Sequence, residues 1–271
     1  MPPTGAGARS MKIANVSSTP CWADLTTPDT SAARRFYRSV LGWESGELPG
    51  RDARGYGLFA LDDGRTVGGL APTARPDRPA AWLPYFQAEG VDAVTARVEG
   101  AGGTVTAGPS DMLDQGRYAV CADPAGAVFG LWQRRAHPGF GVVNAIGGFC
   151  WFELASRDPA VPTDFYATVL GWATTSPDEN GYRMWTVDDE PFGGLLRMND
   201  SFPPHVPPHW MVYVATADCD ATAARCAKAG GSVLVPPRTI ASGRFTVLSD
   251  PQGAVFGALA LNPLSGLAEL A

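Results

Sequence analysis

Histidine is scarce in this chain of 271 residues, and its three copies leave little room for metal binding or imidazole acid-base chemistry. The five cysteines are scattered and odd in number, so they do not predict a disulfide framework. Free thiols are typical of the cytoplasm, where we expect the protein to reside.

Excess positive charge is also missing, since the net charge is -6 and the isoelectric point is about 5.1. This balance argues against a nucleic-acid partner, which usually needs a clustered basic face. No apolar run approaches the roughly 18 residues of a membrane span, and we expect no membrane partner. Residues 1–17 lack the apolar core of a signal peptide and predict a flexible tail.

Familiar catalytic motifs are missing too. The chain has neither of the glycine-rich phosphate-binding patterns GxGxxG and GxxxxGK[ST]. It also has no Ser/His/Asp set with the spacing of a nucleophile elbow.

What the chain does have is an internal repeat. PCWADLTTPDTSAARRFYRSVLGWE, from Pro20, parallels FCWFELASRDPAVPTDFYATVLGWA, from Phe149. GRYAVCADPAGAVFGLW, from Gly116, parallels GRFTVLSDPQGAVFGAL, from Gly243. So many ordered matches indicate a duplicated domain. We predict domains at 18–134 and 148–262, a linker at 135–147 and a tail at 263–271.

Each half contains two smaller units with the pattern βαβββ. Asp29 is a good helix N-cap and Gly42 a good stop, and in the second half Asp158 is the expected cap before Pro159. Apolar alternation in CWADLTT, WLPYFQA and their counterparts predicts strands. The fold class predicted from this pattern is α+β.

The motifs FYRSVLGW, FYATVLGW, DPAGAVFGLW and DPQGAVFGAL resemble the vicinal oxygen chelate superfamily, also called the glyoxalase/bleomycin resistance/dioxygenase fold. The resemblance runs from Pro20 to Leu261 and is nearest to the tandem-domain proteins of actinomycetes. Those proteins are often labelled hydroxylases or glyoxalase-like, and some are encoded beside antibiotic genes. The resemblance implies curled mixed or antiparallel sheets that form cups, with helices outside and a ligand inside.

The resemblance also implies where a metal would be bound. Counting from the motifs places Trp22, Leu83 and Gly130 at the ligand positions of the first half. The second half has Trp151, Met211 and Gly257 there. None of these side chains coordinates zinc or a hard cation, so we expect no metal and no cofactor. His205 and His209 lie in a proline-rich stretch that cannot be helical, and we expect them in a surface loop.

Strand alternation predicts which side chains line the cups. In the first half these are Trp22, Thr26, Tyr85, Gln87, Gly130 and Trp132, and in the second half Trp151, Tyr213 and Gly257. Such a wall is largely aromatic, as in many small-molecule pockets. The two glycines are expected to make room for a flat ligand near the tryptophans.

Asp24 and Glu153 are the expected polar members of this wall. A carboxyl group beside tryptophan and away from water should have a raised pKa, which suits a general acid or base. The alternative role is a hydrogen bond that holds a nearby loop or strand. Arg117 and Arg244 are candidate partners of these carboxylates. Cys21 and Cys150 are predicted as packed thiols on the opposite strand face.

Two functions remain open. The first is metal-independent binding of a small apolar or aromatic metabolite, such as an antibiotic or polyketide, in a resistance, accessory or biosynthetic role. The second is a metal-free isomerase, cyclase or lyase that uses Asp24 or Glu153. A true glyoxalase is less favoured because of Trp22 and Gly130. Because one chain carries both halves, we expect a monomer or a homodimer.

Overall fold

A computed structural model describes residues 17–48, 55–73, 77 and 79–262. The first half contains β1 Pro20–Thr27, α1 Thr30–Leu41, β2 Glu44–Glu47, β3 Gly57–Ala60, β4 Thr66–Pro72, β5 Ala81–Gln87, α2 Val91–Gly100, β6 Thr104–Met112, β7 Gly116–Ala122 and β8 Val128–Arg134. The second half contains β9 Phe149–Ser156, α3 Ala160–Leu170, β10 Ala173–Thr174, β11 Arg183–Val187, β12 Glu190–Arg197, β13 His209–Ala215, α4 Cys219–Lys228, β14 Ser232–Ile240, β15 Gly243–Ser249 and β16 Val255–Leu261. The fourfold βαβββ pattern is confirmed.

Each half forms its own eight-stranded mixed sheet. The strand orders are β2-β3-β4-β1-β5-β8-β7-β6 and β10-β11-β12-β9-β13-β16-β15-β14. At the centre, β1 runs antiparallel to β5, and each of the two is parallel to the last strand of its own unit. Neither sheet closes on itself, so the predicted α+β tandem architecture is observed as two open sheets.

The helix ends follow largely from local chemistry. The Asp29 side chain accepts a hydrogen bond from the amide of Ala32, and Gly42 ends α1 at φ 74° in the left-handed region that favours glycine. The expected cap Asp158 is displaced by one residue. Pro159 is the N-cap of α3, and the Asp158 carboxyl accepts from the amide of Ala160 just inside the helix.

The helices lie on one face of each sheet, outside the cups, where they also join the two halves. Helix α1 contacts α4, and α2 contacts α3. At the junction, the Tyr37 hydroxyl lies 3.3 Å from Asp250 Oδ2 and accepts a hydrogen bond from Trp82 Nε1. In the equivalent place of the other half, Trp210 Nε1 donates a hydrogen bond to the Tyr166 hydroxyl. One continuous apolar core therefore crosses both halves.

Some sequence predictions lie at the limits of the described chain. The predicted tails at 1–17 and 263–271 fall outside the described residues, apart from residue 17. Among the helices of the described ranges, none is long and apolar enough to cross a membrane.

Candidate functional site

The face of each sheet opposite the helices carries the predicted site residues. We call this face cup 1 in the first half and cup 2 in the second. The cup 1 cluster contains Trp22, Tyr85 and Trp132, whereas their strand neighbours Ala23 and Leu25 lie in the shared core on the helix side. The cup 2 cluster contains Met211, Tyr213 and Leu259, with Trp151 packed against it. Alternation along the strands therefore separates the faces as predicted.

In cup 1, Asp24 is the centre of a hydrogen-bond network. Its Oδ1 accepts from Trp22 Nε1 at 2.8 Å and from the Tyr56 hydroxyl at 2.7 Å. The Tyr85 side chain lies near this carboxyl group and helps to lower its pKa. Asp24 is half-buried as a residue, but its carboxyl group has lost most of its contact with solvent.

Cup 2 repeats this network around Glu153. The Tyr182 hydroxyl donates to Oε2 and the Tyr213 hydroxyl donates to Oε1, each at 3.0 Å. Trp151 Nε1 donates to the Tyr182 hydroxyl at 2.9 Å instead of reaching the carboxylate directly. Glu153 is only 4% exposed, so both of its oxygens are held by tyrosines in a sealed position.

Burial sets the protonation behaviour of both networks. Loss of solvent raises the pKa of Asp24 and of Glu153, and the tyrosine hydrogen bonds partly oppose this rise. Burial and the adjacent carboxylates hold the pKa of the tyrosines well above its usual value, so these groups stay protonated as donors. The structural role expected for the carboxyls, a bond that holds a neighbouring segment, is observed. The catalytic role stays a prediction.

Tyr56 and Tyr182 were missed as site residues by sequence reasoning. Both follow a glycine just before a short strand, in GYGLFAL and GYRMWTV, so the repeat itself carried the signal. Their hydroxyls reach the carboxyls only because Gly69 and Gly194 face them. A Cβ at either glycine would collide with the tyrosine hydroxyl.

The space above Gly130 and Gly257 is filled by the chain itself. A Cβ on either glycine would collide with the ring of Tyr85 or Tyr213, respectively. The expectation that these two glycines leave room for a ligand is therefore wrong, because the rings of Tyr85 and Tyr213 take that room. Any ligand must contact other parts of the cups.

Three other predicted cup 1 residues are more dispersed. Thr26 is half-buried at the end of β1, opposite Ala81 on β5. Gln87 is 8% exposed at the far end of β5, in register with Trp132. Gln87 also borders a cavity of about 200 Å³ at the start of α2, which Arg97 and Leu170 line from the two halves. Thr26 and Gln87 thus lie at opposite ends of the paired strands β1 and β5 and do not line one pocket together.

The arginine prediction is wrong. Arg117 pairs with Asp92 and Asp111, and Arg244 pairs with Asp220. Side chains alternate along strands β7 and β15, which directs these arginines away from the cups, toward helix α2 or α4.

The cysteine prediction is half right. The register of β1 shifts between Pro20 and Trp22, and β9 shifts at the matching place. This extra residue turns Cys21 and Cys150 into the cup clusters instead of the opposite face. Both thiols are buried, and burial raises the pKa of each, which fits packed rather than reactive thiols.

The predicted linker does more than connect the halves. The His137 ring lies edge-on to the Trp22 ring, with 4.4 Å between the ring centroids. The backbone carbonyl of His137 accepts a hydrogen bond from Trp132 Nε1 at 3.4 Å. Phe140 donates its amide to the carbonyl of Cys21 at 2.9 Å. Burial lowers the pKa of His137, so this ring is neutral near pH 7. The linker therefore forms part of the cup 1 wall.

The donor set does not fit a metal of the kind that the fold family implies. Trp22, Leu83 and Gly130 occupy the ligand positions of cup 1, and the Tyr85 ring covers the last of them. Across the described residues, no three His, Cys, Asp or Glu side chains come together in a way that could hold an ion. Each cup offers one carboxyl, and tyrosine hydroxyls already bond it.

The comparisons with known proteins agree with this architecture. Residues 20–131 match the model of the Glyoxalase/Bleomycin resistance protein/Dioxygenase superfamily, and residues 151–259 match that of a Glyoxalase-like domain. CFP32 of Mycobacterium bovis, provisionally named a glyoxylase, is 40% identical over 89% of this chain and 94% of its own length. The anthracycline biosynthesis protein DnrV of Streptomyces peucetius is 37% identical over 89% of this chain and 93% of its own.

A solved structure supports the fold alone. The Mn(II)-bound glyoxalase of Novosphingobium aromaticivorans superposes with a TM-score of 0.63 at 18% identity, covering 90% of this chain and 82% of that one. The sequence matches span both halves, and the fold, the repeat and the relatives agree. The chain belongs to the glyoxalase/bleomycin resistance/dioxygenase superfamily, with two such domains in tandem.

Proposed function

We propose that the protein binds a small, flat aromatic metabolite without a metal, in a biosynthetic, accessory or resistance role. The observation that carries this proposal is the replacement of metal-binding side chains by tryptophan at the first-strand position of each cup. Each tryptophan is tied to a carboxyl-tyrosine network that consumes the remaining polar groups. What is left for a ligand is aromatic surface, and stacking adds about 0.5–1.5 kcal/mol per ring pair beyond burial.

The names of two relatives support the class of ligand. DnrV and DauV, which are 37% and 36% identical to this chain, are both named anthracycline biosynthesis proteins. An anthracycline contains a flat, fused aromatic ring system with phenolic hydroxyls. Such a molecule could stack on indole rings and form a few hydrogen bonds at the rim of a cup.

Binding to 1,8-dihydroxyanthraquinone tests the proposal. Tryptophan fluorescence should be quenched with an affinity near micromolar, and EDTA should leave this affinity unchanged. Glutathione, as a polar comparison ligand, should cause no quenching. The proposal fails if the anthraquinone does not bind at its solubility limit, or if binding appears only after Zn²⁺, Ni²⁺ or Mn²⁺ is added. Metal-stimulated conversion of the glutathione-methylglyoxal adduct would instead support a true glyoxalase.

A second candidate is a metal-free isomerase, cyclase or lyase that uses Asp24. The observation in its favour is that burial raises the pKa of both carboxyls, but Asp24 is the less buried residue: it is half-buried, whereas Glu153 is 4% exposed. Asp24→Asn should then keep the affinity for an aromatic polyketide and abolish its conversion, which chromatography with mass detection would follow. Glu153→Gln is the matched comparison. Equal turnover in wild type and Asp24→Asn would exclude this role.

We further propose a cytoplasmic protein that is a monomer or a homodimer. Each sheet is built from eight strands of its own half, so one chain supplies the strands of both cups. Sedimentation equilibrium of the purified protein would distinguish the two states.

A further inference from the structure

The two cups differ in how their tryptophans are covered. In cup 1 the Trp22 ring contacts His137 and lies 5.7 Å from the Phe140 ring, and Trp22 is only 5% exposed. In cup 2 Trp151 is half-buried: it packs against the cup 2 cluster, which includes Tyr213, but it is more exposed than Trp22. The more accessible of the two indole surfaces therefore lies in cup 2.

The segment His137–Phe140 is built to stay on cup 1. Gly139 has φ 106°, in the left-handed region that favours glycine, and a Cβ there would lie 2.5 Å from the carbonyl oxygen of Cys21. The Gly139 amide donates to His137 Nδ1 at 3.0 Å, which fixes the imidazole ring. Hydrogen bonds from Trp132 Nε1 and to the Cys21 carbonyl anchor the two ends. The contacts come from backbone and side chains together, as expected of a permanent cover.

Cup 2 also has a polar side chain at a strand position where cup 1 has an apolar one. His209 was expected in a loop, but it is the first residue of β13 and pairs with Ala155, on the same face as Met211 and Tyr213. The corresponding position in cup 1 is Ala81, which pairs with Thr26. At this strand position, therefore, cup 2 has a histidine and cup 1 an alanine.

The hydrogen bond of His209 fixes which nitrogen is available. Its Nδ1 lies 2.9 Å from the carbonyl oxygen of Pro207. A carbonyl oxygen only accepts, so Nδ1 carries the hydrogen, and Nε2 of the neutral ring is an acceptor. An acceptor at the rim of an aromatic surface suits a phenolic hydroxyl on a flat ring system.

We infer that cup 2 is the ligand-binding cup, with Trp151 as the stacking surface and His209 as the acceptor for a phenolic hydroxyl, and that His137–Phe140 closes cup 1. This inference rests on the proposed function, because it assigns the site of the same aromatic ligand. In cup 2, Glu153 is a positioning residue beneath the site, since its two oxygens hold Tyr182 and Tyr213.

Fluorine NMR of the full chain labelled with 5-fluorotryptophan tests the assignment directly. Trp22→Phe and Trp151→Phe identify the two resonances, and 1,8-dihydroxyanthraquinone is the probe. Addition of the probe should shift the Trp151 resonance and leave that of Trp22 in place. Calorimetric titration should give one site per chain.

Three variants sharpen the test. His209→Ala should weaken probe binding about two- to twelvefold, the range for one lost hydrogen bond. His205→Ala, an exposed histidine four residues away, should leave the affinity unchanged. Replacing both His137 and Phe140 by alanine should open cup 1 and raise the stoichiometry from one to two. The fluorine spectrum of each variant also reports whether it is folded.

The outcomes separate the two proposals. A shift of the Trp22 resonance in the wild type, two sites per wild-type chain, or an unchanged affinity in His209→Ala overturns the assignment to cup 2 but leaves aromatic binding intact. No shift and no heat at saturating probe overturns the proposed function, and this inference with it.

Discussion

Removing one hydroxyl, in Tyr182→Phe, should destabilise the protein more than its size suggests. This hydroxyl accepts from Trp151 Nε1 and donates to Glu153 Oε2, and Tyr182 is 2% exposed. The variant leaves the Trp151 donor with no described partner and removes one of the two donors to a buried carboxylate. An unpaired buried polar group costs about 1–3 kcal/mol, so we expect a loss of about 2–4 kcal/mol in the free energy of unfolding.

Tyr56→Phe is the matched control in the other half. Asp24 is less buried than Glu153, and Trp22 Nε1 bonds Asp24 directly, so this variant leaves no indole donor unpaired. We expect a loss of at most about 1 kcal/mol there. Urea unfolding at pH 7, followed by circular dichroism, measures both values. Equal losses in the two variants, or a neutral Tyr182→Phe, would refute the reasoning that burial and a lone donor decide the cost.

Three further predictions follow from the same contacts. Burial raises the pKa of Glu153 above its usual 4.5, so the folded state binds this proton more tightly than the unfolded state, and the free energy of unfolding declines as the pH rises through the folded pKa. Glu153→Gln should reduce this decline, which urea titrations from pH 4 to 8 would measure. The same pH dependence of stability in the variant and the wild type would contradict the prediction. Gly257→Ala should lower the free energy of unfolding by about 1–3 kcal/mol, because the new Cβ meets the Tyr213 ring. Gly46→Ala, where the Cβ would meet open space, should lower it by under about 1 kcal/mol, and thermal unfolding would measure both variants. Because the core crosses both halves, calorimetry should show one cooperative transition, and two separate transitions would contradict a shared core.

The fold was largely predictable because the same sequence motifs occur in both halves of the chain. Each motif in one half could be checked against its partner, and local rules placed helix ends at Asp29 and Gly42. Register was harder, since the shift at Cys21 and at Cys150 has no composition signal and turns a side chain to the other face. The joint core was also out of reach, because periodicity shows that a helix has an apolar face but not which sheet covers it.

The sequence predicted which side chains share a face of each sheet better than it predicted how they are arranged there. Alternation correctly grouped Trp22 with Asp24 and Trp151 with Glu153. It could not show that Tyr56 and Tyr182 would reach across the sheet to these carboxyls, because that contact depends on three strands meeting. The partners of Arg117 and Arg244 were mispredicted for a similar reason. Each arginine pairs with an aspartate on helix α2 or α4, which is close in space but distant in sequence.

The residues of each cup depend on one another, and this dependence explains why one substitution would not restore a metal site. Glutamate at position 130 would meet the Tyr85 ring, because even its Cβ collides there. Histidine at position 22 would remove the indole donor of Asp24 and the surface that His137 covers. In each cup the glycine leaves space for a tyrosine ring, and tyrosine and tryptophan side chains supply hydrogen-bond donors. The carboxyl group can be buried only because these donors surround it. The corresponding set recurs around Glu153, where Tyr182 and Tyr213 bond the carboxyl and Trp151 bonds Tyr182, so a single substitution would not restore a metal site in that half either.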